Sequence, residues 1–137
     1  MSIKSKKNIF YAQSGGVTPV INATAKGIYD EFKKNRNFFG RLLIGKNGIA
    51  GALNEEIIDI EKEKKKEIEK LIHTPGGAFG SCRIKLKDPK KDQNEFNRIL
   101  EVFKKYSIGY FLYNGGGDSQ DTTLKLSKYF KKMLDLR

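Results

Sequence analysis

Residues 108–119 have the sequence IGYFLYNGGGDS. The first six are apolar or aromatic apart from one glycine, and such a run is typical of a strand buried in a parallel sheet. Three glycines then break the strand, and apolar residues recur at helical spacing beyond them. The stretch therefore predicts a strand, a glycine loop and a helix that is capped by Asp118 or Ser119. The residues of this helix expected to point inward are Leu124, Leu126, Phe130 and Leu134.

The beginning of the chain shows the same order of elements. Residues 7–13, KNIFYAQ, predict a short strand, and residues 14–19, SGGVTP, predict a loop. A helix is expected from Pro19 to about Lys34, with Thr18 as its N-cap and the proline in its first turn.

The middle of the chain continues the alternation. Residues 41–44 predict a strand, 57–60 a brief extended piece, 61–70 a charged helix, 74–81 a glycine-rich loop and 92–106 an amphipathic helix. Alternating strands and helices predict an α/β protein: a three-layer, Rossmann-like parallel sheet with helices on both faces.

Length and charge limit the possible functions. The chain has 137 residues, which suits one domain, and 27 Lys and Arg against 16 Asp and Glu give a net charge of +11. The positive residues are mostly lysines, spread along the chain and mixed with acids, which argues against a nucleic-acid-binding role. No apolar run approaches the roughly 18 residues of a membrane span. The lone Cys82 cannot form an internal disulfide, so we expect a cytoplasmic protein.

The glycine loops are candidates for phosphate binding. A glycine lets the main chain approach a ligand closely, and the N-terminus of the helix that follows offers N–H groups to an anion. Tight turns are the alternative explanation for either loop alone. A third glycine-rich loop precedes Arg83, whose guanidinium suits a phosphoryl group. The carboxylate of Asp118 has three candidate roles: to hold Mg²⁺, to cap the helix, or to exclude part of a ligand.

Three motifs, in this order, resemble those of the phosphofructokinase family. Residues 14–23, SGGVTPVINA, are similar to its first phosphate loop, residues 80–83, GSCR, to its Gly-Ser-x-Arg loop, and residues 115–119, GGGDS, to its Gly-Gly-Asp-x-Ser loop. Residues 11–16 and 118–122 look most like the pyrophosphate-dependent branch. The resemblance covers nearly the whole chain and implies the N-terminal part of the phosphofructokinase fold.

The resemblance implies a role for each loop residue. Arg83 would stabilise the transferring phosphoryl group, and Asp118 would set donor specificity. Gly117 occupies the metal position of the family without a side-chain ligand, so Mg²⁺ would be held by phosphates and water. The residues implied to bind the phosphoryl donor are Gly15, Gly16, Arg83, Gly115, Gly116, Gly117, Asp118 and Ser119.

Asp118 stands where the nucleotide-using branch has glycine, close to the place of the α-phosphate of ATP. Two unit charges about 4 Å apart at an effective dielectric of about 20 repel by about 4 kcal/mol, roughly a thousandfold in preference. The resemblance therefore favours pyrophosphate over ATP as the donor. Replacing Asp118 by glycine is expected to increase the use of ATP.

The family's catalytic Thr-Ile-Asp-Asn-Asp loop has no counterpart in residues 1–137, and neither does its second domain. We therefore expect an N-terminal donor-binding piece that does not phosphorylate fructose 6-phosphate alone, exposes apolar surface and associates. Complete members of the family are expected to be homo-oligomers. Three other hypotheses remain open: a lipid or NAD kinase with a similar loop, a basic nucleic-acid-binding module, and a regulatory subunit that binds phosphate without chemistry.

Overall fold

The computed structural model describes residues 5–16 and 18–135, with side chains as far as residue 133. The predicted inward position of Leu134 therefore lies outside the described side chains. The strands are β1 (Asn8–Gln13), β2 (Leu42–Gly45), β3 (Ile57–Asp59) and β4 (Ile108–Asn114). The helices are α1 (Ile21–Lys34), α2 (Ala50–Asn54), α3 (Lys65–Glu69), α4 (Asn94–Lys105) and α5 (Gly117–Asp135).

The four strands form one sheet in the order β3-β2-β1-β4. β1 pairs in parallel with both β2 and β4, as the alternation of elements predicts. β3, in contrast, runs antiparallel to β2, so the prediction of a wholly parallel sheet is wrong for this strand. The physical reason is the short connection: a parallel crossover needs about a dozen residues or more, and the segment between β2 and β3 holds only the five-residue helix α2.

Helices cover both faces of the sheet, which confirms the three-layer prediction. Phe10 and Ala12 of β1 point toward α2, α4 and α5, whereas Ile9 and Tyr11 point toward α1 and α3. Each face has its own apolar cluster, because successive side chains of a strand alternate in direction. This alternation explains why β1 is apolar at every position from residue 9 to residue 12.

The charged segment 61–70 does not form one helix. It is divided into a 3₁₀ turn (Ile60–Lys62), the five-residue α3 and a second 3₁₀ turn (Lys70–His73). Only Ile60, Ile68 and Leu71 are buried there. Three anchors do not form a continuous apolar face, so each short turn is fixed separately by its own buried side chain.

The beginnings of α1 and α5 differ from the predictions. α1 begins at Ile21, and its first turn has no side-chain cap; Thr18 contributes only its carbonyl oxygen, 3.4 Å from the Ile21 nitrogen. α5 begins at Gly117, so Asp118 and Ser119 lie within its first turn instead of capping it. The carbonyl of Gly116 accepts the first helical hydrogen bonds, from Ser119 and Gln120.

β4 lies at the edge of the sheet, although its apolar sequence predicts a buried strand. Tyr110 is 47% exposed and Leu112 is 39% exposed. On α5, Leu126 is buried but Leu124 is 53% exposed, so the prediction that Leu124 points inward is wrong. An apolar strand at the edge of a sheet exposes unpaired backbone N–H and C=O groups as well as apolar side chains.

Candidate functional site

The three glycine loops meet at one cavity of about 450 Å³, at the carboxyl ends of β1 and β4. The chain leaves β1 toward β2 on one side and returns through β4 on the other, so the cavity lies where the strand order reverses. Open α/β sheets bind their ligands at this place. The residues of the three loops that line the cavity are Ser14, Gly15, Gly16, Arg83, Ile84, Lys85, Asn114, Gly115, Gly116, Gly117, Asp118 and Ser119.

Backbone pairing holds the loops together. The Ser14 nitrogen donates to the Asn114 carbonyl at 2.8 Å, which joins the first and last loops directly beyond the paired strands. Ser14 also forms a parallel bridge with Cys82, and the Ser81 hydroxyl donates to the Gly15 carbonyl at 2.9 Å. Arg83, which follows Cys82 directly, is thereby brought to the same rim although it lies 67 positions after Gly16 in the sequence.

The glycines of the cavity have two different functions. A Cβ on Gly115 would lie 2.2 Å from the Ser119 hydroxyl oxygen and 2.9 Å from the Ser14 carbonyl oxygen, so close packing requires glycine there. Gly15 has a φ of +78°, a conformation that favours glycine. A Cβ added to Gly16, Gly116 or Gly117 would meet nothing within 4 Å, so there is open space beside the backbone at these positions.

Two helix N-termini reach the cavity. Gly117 and Asp118 in the first turn of α5 line it, and so do Thr18 and Ile21 at the beginning of α1. The first N–H groups of a helix have no acceptor within the helix, and the helix dipole places partial positive charge there. Both features attract an anion to this side of the sheet.

The charged side chains of the cavity wall are Arg83, Lys85 and Asp118. Lys85 Nζ lies 3.9 Å from Asp118 Oδ1, and these side chains are 71% and 86% exposed. An exposed carboxylate beside an ammonium repels a nearby phosphate much less than a buried one. At the dielectric constant of water the repulsion at about 4 Å would be about 1 kcal/mol, about fivefold in preference, which is the effect we expect of a carboxylate as exposed as this one.

A buried amide fixes the middle loop against α1. Asn22 is fully buried, and its Nδ2 donates to the carbonyls of Thr74 at 2.7 Å and Gly76 at 2.6 Å. Its Oδ1 accepts from the Ala78 nitrogen at 2.9 Å and from Gln13 Nε2 at 3.2 Å. Three of these four hydrogen bonds position the chain that leads to Arg83, and the fourth joins the amide to β1.

The phenol of Tyr11 extends this network to β4. Its oxygen accepts hydrogen bonds from Asn114 Nδ2 at 3.1 Å and from Gln13 Nε2 at 3.2 Å. Burial raises the pKa of Tyr11, and the two hydrogen bonds oppose that shift only in part. The phenol stays neutral near pH 7 and acts as a structural link between β1, α1 and the last loop.

The structure brings together all eight residues that the sequence singled out for donor binding, from Gly15 to Ser119. It places Ser119 differently from the others: this side chain is buried, and its hydroxyl packs against Gly115. Lys85 and Thr122 also line the cavity but were not predicted. Two features of the sequence could have identified them: Lys85 lies two residues after Arg83, and Thr122 lies about one helical turn after Ser119.

The donor atoms at the cavity do not fit a magnesium ion held by the protein. Within the described part of the chain, no three His, Cys, Asp or Glu side chains lie close enough to share a metal. Asp118 is the one carboxylate among the described residues that line the cavity, and it faces Lys85. Mg²⁺ requires about six oxygen ligands in octahedral geometry. Gly117, at the metal position that the resemblance implies, has no side chain to contribute.

Comparison with known proteins identifies the family. The model of the family described as phosphofructokinase matches residues 8–134. The chain belongs to the phosphofructokinase family. A curated phosphofructokinase relative from Halomonas elongata, named pyrophosphate–fructose 6-phosphate 1-phosphotransferase, is 50% identical over 129 residues, which are 94% of this chain and 31% of the relative.

Solved structures agree with this phosphofructokinase assignment. The pyrophosphate-dependent phosphofructokinase of Marinobacter aquaeolei superimposes with a TM-score of 0.84 at 54% identity, over 93% of this chain and 30% of that one. The enzyme of the same description from Nitrosospira multiformis gives 0.86 at 51% identity, over 93% and 31%. This chain therefore spans about 30% of the length of these three phosphofructokinases.

Among residues 5–16 and 18–135, no helix combines the length and the apolar character needed to cross a bilayer. α5, the longest at 19 residues, carries charged side chains along its length.

Proposed function

We propose that this chain is the donor-binding part of a pyrophosphate-dependent 6-phosphofructokinase and that its cavity binds pyrophosphate. The observation that supports this most is the convergence of Gly16, Arg83 and Gly116 on one cavity. In the complete enzyme, the phosphoryl group would pass from pyrophosphate to fructose 6-phosphate and give fructose 1,6-bisphosphate, a step of glycolysis. We propose that residues 1–137 bind the donor but do not catalyse this transfer alone.

The cavity supplies the interactions that a diphosphate needs. Main-chain N–H groups at the beginnings of α1 and α5 would bind the phosphate oxygens, and the open glycines let those oxygens approach. Arg83 would neutralise the phosphoryl group through its planar guanidinium. Lys85 adds a second positive charge and balances Asp118. With two cations and one carboxylate on its wall, the cavity is selective for anions.

Binding of pyrophosphate is tested by thermal unfolding of the 137-residue chain. A ligand that binds only the folded state raises its stability, by about 2.7 kcal/mol when its concentration is 100 times Kd. Arg83→Gln removes a charge-assisted hydrogen bond and is expected to weaken pyrophosphate binding roughly 10- to 100-fold. The matched control is Arg41→Gln, since Arg41 is also exposed but precedes β2, at the opposite end of the strands.

Calorimetric titration gives the affinity of each variant. Equal weakening by Arg41→Gln and Arg83→Gln would mean that only net charge matters. Absence of any stabilisation by millimolar pyrophosphate in the unmodified chain would refute the donor-binding proposal. Orthophosphate serves as the comparison ligand because it carries the same chemistry without the second phosphoryl group.

Donor choice is tested at Asp118. Asp118→Gly is expected to raise the affinity for ATP relative to pyrophosphate by about fivefold, because the exposed carboxylate no longer repels the α-phosphate. Asp118→Asn separates charge from size and is expected to have a similar effect. Asp121→Asn is the control, since Asp121 pairs with Lys125 and does not line the cavity. An unchanged ratio of the two affinities in both Asp118 variants would exclude a role in donor choice.

A further inference from the structure

Lys85 reaches the donor cavity from an anchored main chain. The next residue, Leu86, is buried in the apolar cluster that α4 and α5 cover, so the backbone beside Lys85 is held in place. The side chain of Lys85 is itself exposed, and its ionic partner among the described residues is Asp118. A long, exposed side chain on an anchored backbone can reach a ligand without disturbing the fold.

The contact with Asp118 places the Lys85 ammonium beside the last loop. Its Nζ lies 3.9 Å from Oδ1 of Asp118, which is in the first turn of α5, so the pair joins the middle loop to the last loop. The first N–H groups of a helix have no acceptor within it and carry partial positive charge. The ammonium and the beginning of α5 therefore present positive charge to the same part of the cavity.

Arg83 and Lys85 are two different kinds of cation. The guanidinium of Arg83 is planar, and its fixed donors suit a bidentate contact with one phosphoryl group. The ammonium of Lys85 is a compact charge on a flexible stem, with three donors that can rotate. Both side chains line the cavity, so they present two separate positive centres to it. A ligand with two linked phosphoryl groups can engage both centres at once, whereas orthophosphate has a single group to offer.

The ion pair between Lys85 and Asp118 is easily exchanged for a contact with a ligand. An ion pair between exposed side chains is weak, because water screens both charges and the side chains lose freedom when they pair. A charge-assisted hydrogen bond to a phosphoryl oxygen is stronger, since that group carries more charge. We therefore expect the Lys85 ammonium to leave the carboxylate for a phosphoryl oxygen when the donor binds. Until then, Asp118 keeps the ammonium at the cavity.

We propose that Lys85 is a specificity-determining residue: it binds the second phosphoryl group of pyrophosphate and makes the cavity prefer a diphosphate to orthophosphate. This proposal rests on the proposed function, because its ligand is the donor assigned there. Arg83 would bind the phosphoryl group that both ligands possess, and Lys85 the one that pyrophosphate alone possesses. Loss of the Lys85 charge is therefore expected to reduce selectivity, whereas loss of the Arg83 charge is expected to weaken the binding of both ligands.

The test is calorimetric titration of the 137-residue chain and its variants with pyrophosphate and, separately, with orthophosphate. Lys85→Gln removes the charge and is expected to weaken pyrophosphate binding about tenfold and orthophosphate binding by less than about twofold. Lys85→Arg keeps the charge and should retain most of the affinity for pyrophosphate. Lys87→Gln is the control, since Lys87 is also exposed but pairs with Asp92 and does not line the cavity. This control should change neither affinity by more than about twofold.

The outcomes separate the role of Lys85 from the donor site itself. If Lys85→Gln weakens both ligands equally, or leaves pyrophosphate binding unchanged, the selectivity proposal is overturned while the donor site stands. An equal effect of Lys87→Gln, or a loss in Lys85→Arg as large as in Lys85→Gln, would also overturn it. Absence of pyrophosphate binding in the unmodified chain would refute both proposals. Without ligand, Lys85→Gln is expected to unfold at the same temperature as the parent, because the side chain is exposed.

Discussion

Asn22→Asp is expected to destabilise the protein by about 3–5 kcal/mol. The substitution keeps the shape of the side chain but replaces its Nδ2 by an oxygen. That oxygen would face the carbonyls of Thr74 and Gly76, at the positions where Nδ2 now donates at 2.7 and 2.6 Å. Since Asn22 is fully buried, the new carboxylate cannot turn to water and would stay against the two carbonyl oxygens, which repel it. Urea unfolding of the two proteins measures the difference.

The destabilisation by Asn22→Asp is expected to depend on pH. Burial and the facing carbonyls raise the pKa of the introduced carboxyl above its unfolded value of about 3.9. The folded state therefore holds this proton more tightly, and stability decreases as the pH rises from about 4 through the folded pKa. The variant should lose more stability, relative to the parent, at about pH 8 than at about pH 5.

Asn37→Asp is the matched control for Asn22→Asp. Asn37 is exposed in the turn after α1, so the same chemical change should alter stability by less than about 0.5 kcal/mol. A comparable loss at both positions, or a loss at Asn22 that does not vary with pH, would contradict the buried-amide explanation. Pyrophosphate affinity should fall with Asn22→Asp as well, because the loop that leads to Arg83 is no longer fixed to α1.

Gly115→Ala is expected to cost about 1–3 kcal/mol of stability and to abolish most of the pyrophosphate binding. The new methyl group would lie 2.9 Å from the Ser14 carbonyl oxygen, which is backbone and cannot rotate away. It would also lie 2.2 Å from the Ser119 hydroxyl oxygen, which can change rotamer at a smaller cost. The clash is removed at the lowest energy if the first and last loops separate, and this separation would break the hydrogen bond between Ser14 and Asn114.

The neighbouring glycine provides the comparison for Gly115→Ala. A Cβ on Gly116 meets nothing within 4 Å, so Gly116→Ala should change stability by no more than about 0.5 kcal/mol. Thermal unfolding and pyrophosphate titration of both variants complete the experiment. Similar stability losses at the two positions would show that loop flexibility, and not the close approach of the loops, makes glycine necessary here.

Sequence patterns predicted much of this fold because the relevant signals are local. An unbroken apolar strand such as residues 9–12 needs cover on both faces, and glycines directly before helical periodicity end a strand at a loop. The donor-site residues could be predicted because their order along the chain resembles that of one family. Boundaries were less accurate: Thr18 and Ser119 have the chemistry of caps, but α1 begins at Ile21 and α5 begins at Gly117.

The sequence by itself determined the alternation of strands and helices, the glycine loops and eight of the residues that line the cavity, but not the division of segment 61–70 into short turns. Only the tertiary structure decided which segments lie beside one another. The place of β4 at an edge, the reversal of β3 and the exposure of Asp118 depend on contacts between segments far apart in sequence. The residue types of a strand indicate how much burial it tolerates and not how much it has, and β4 is as apolar as β1. Which side chains are covered depends on the segments that pack beside them. How strongly a charge acts on a ligand depends on how much water surrounds the charge and screens it.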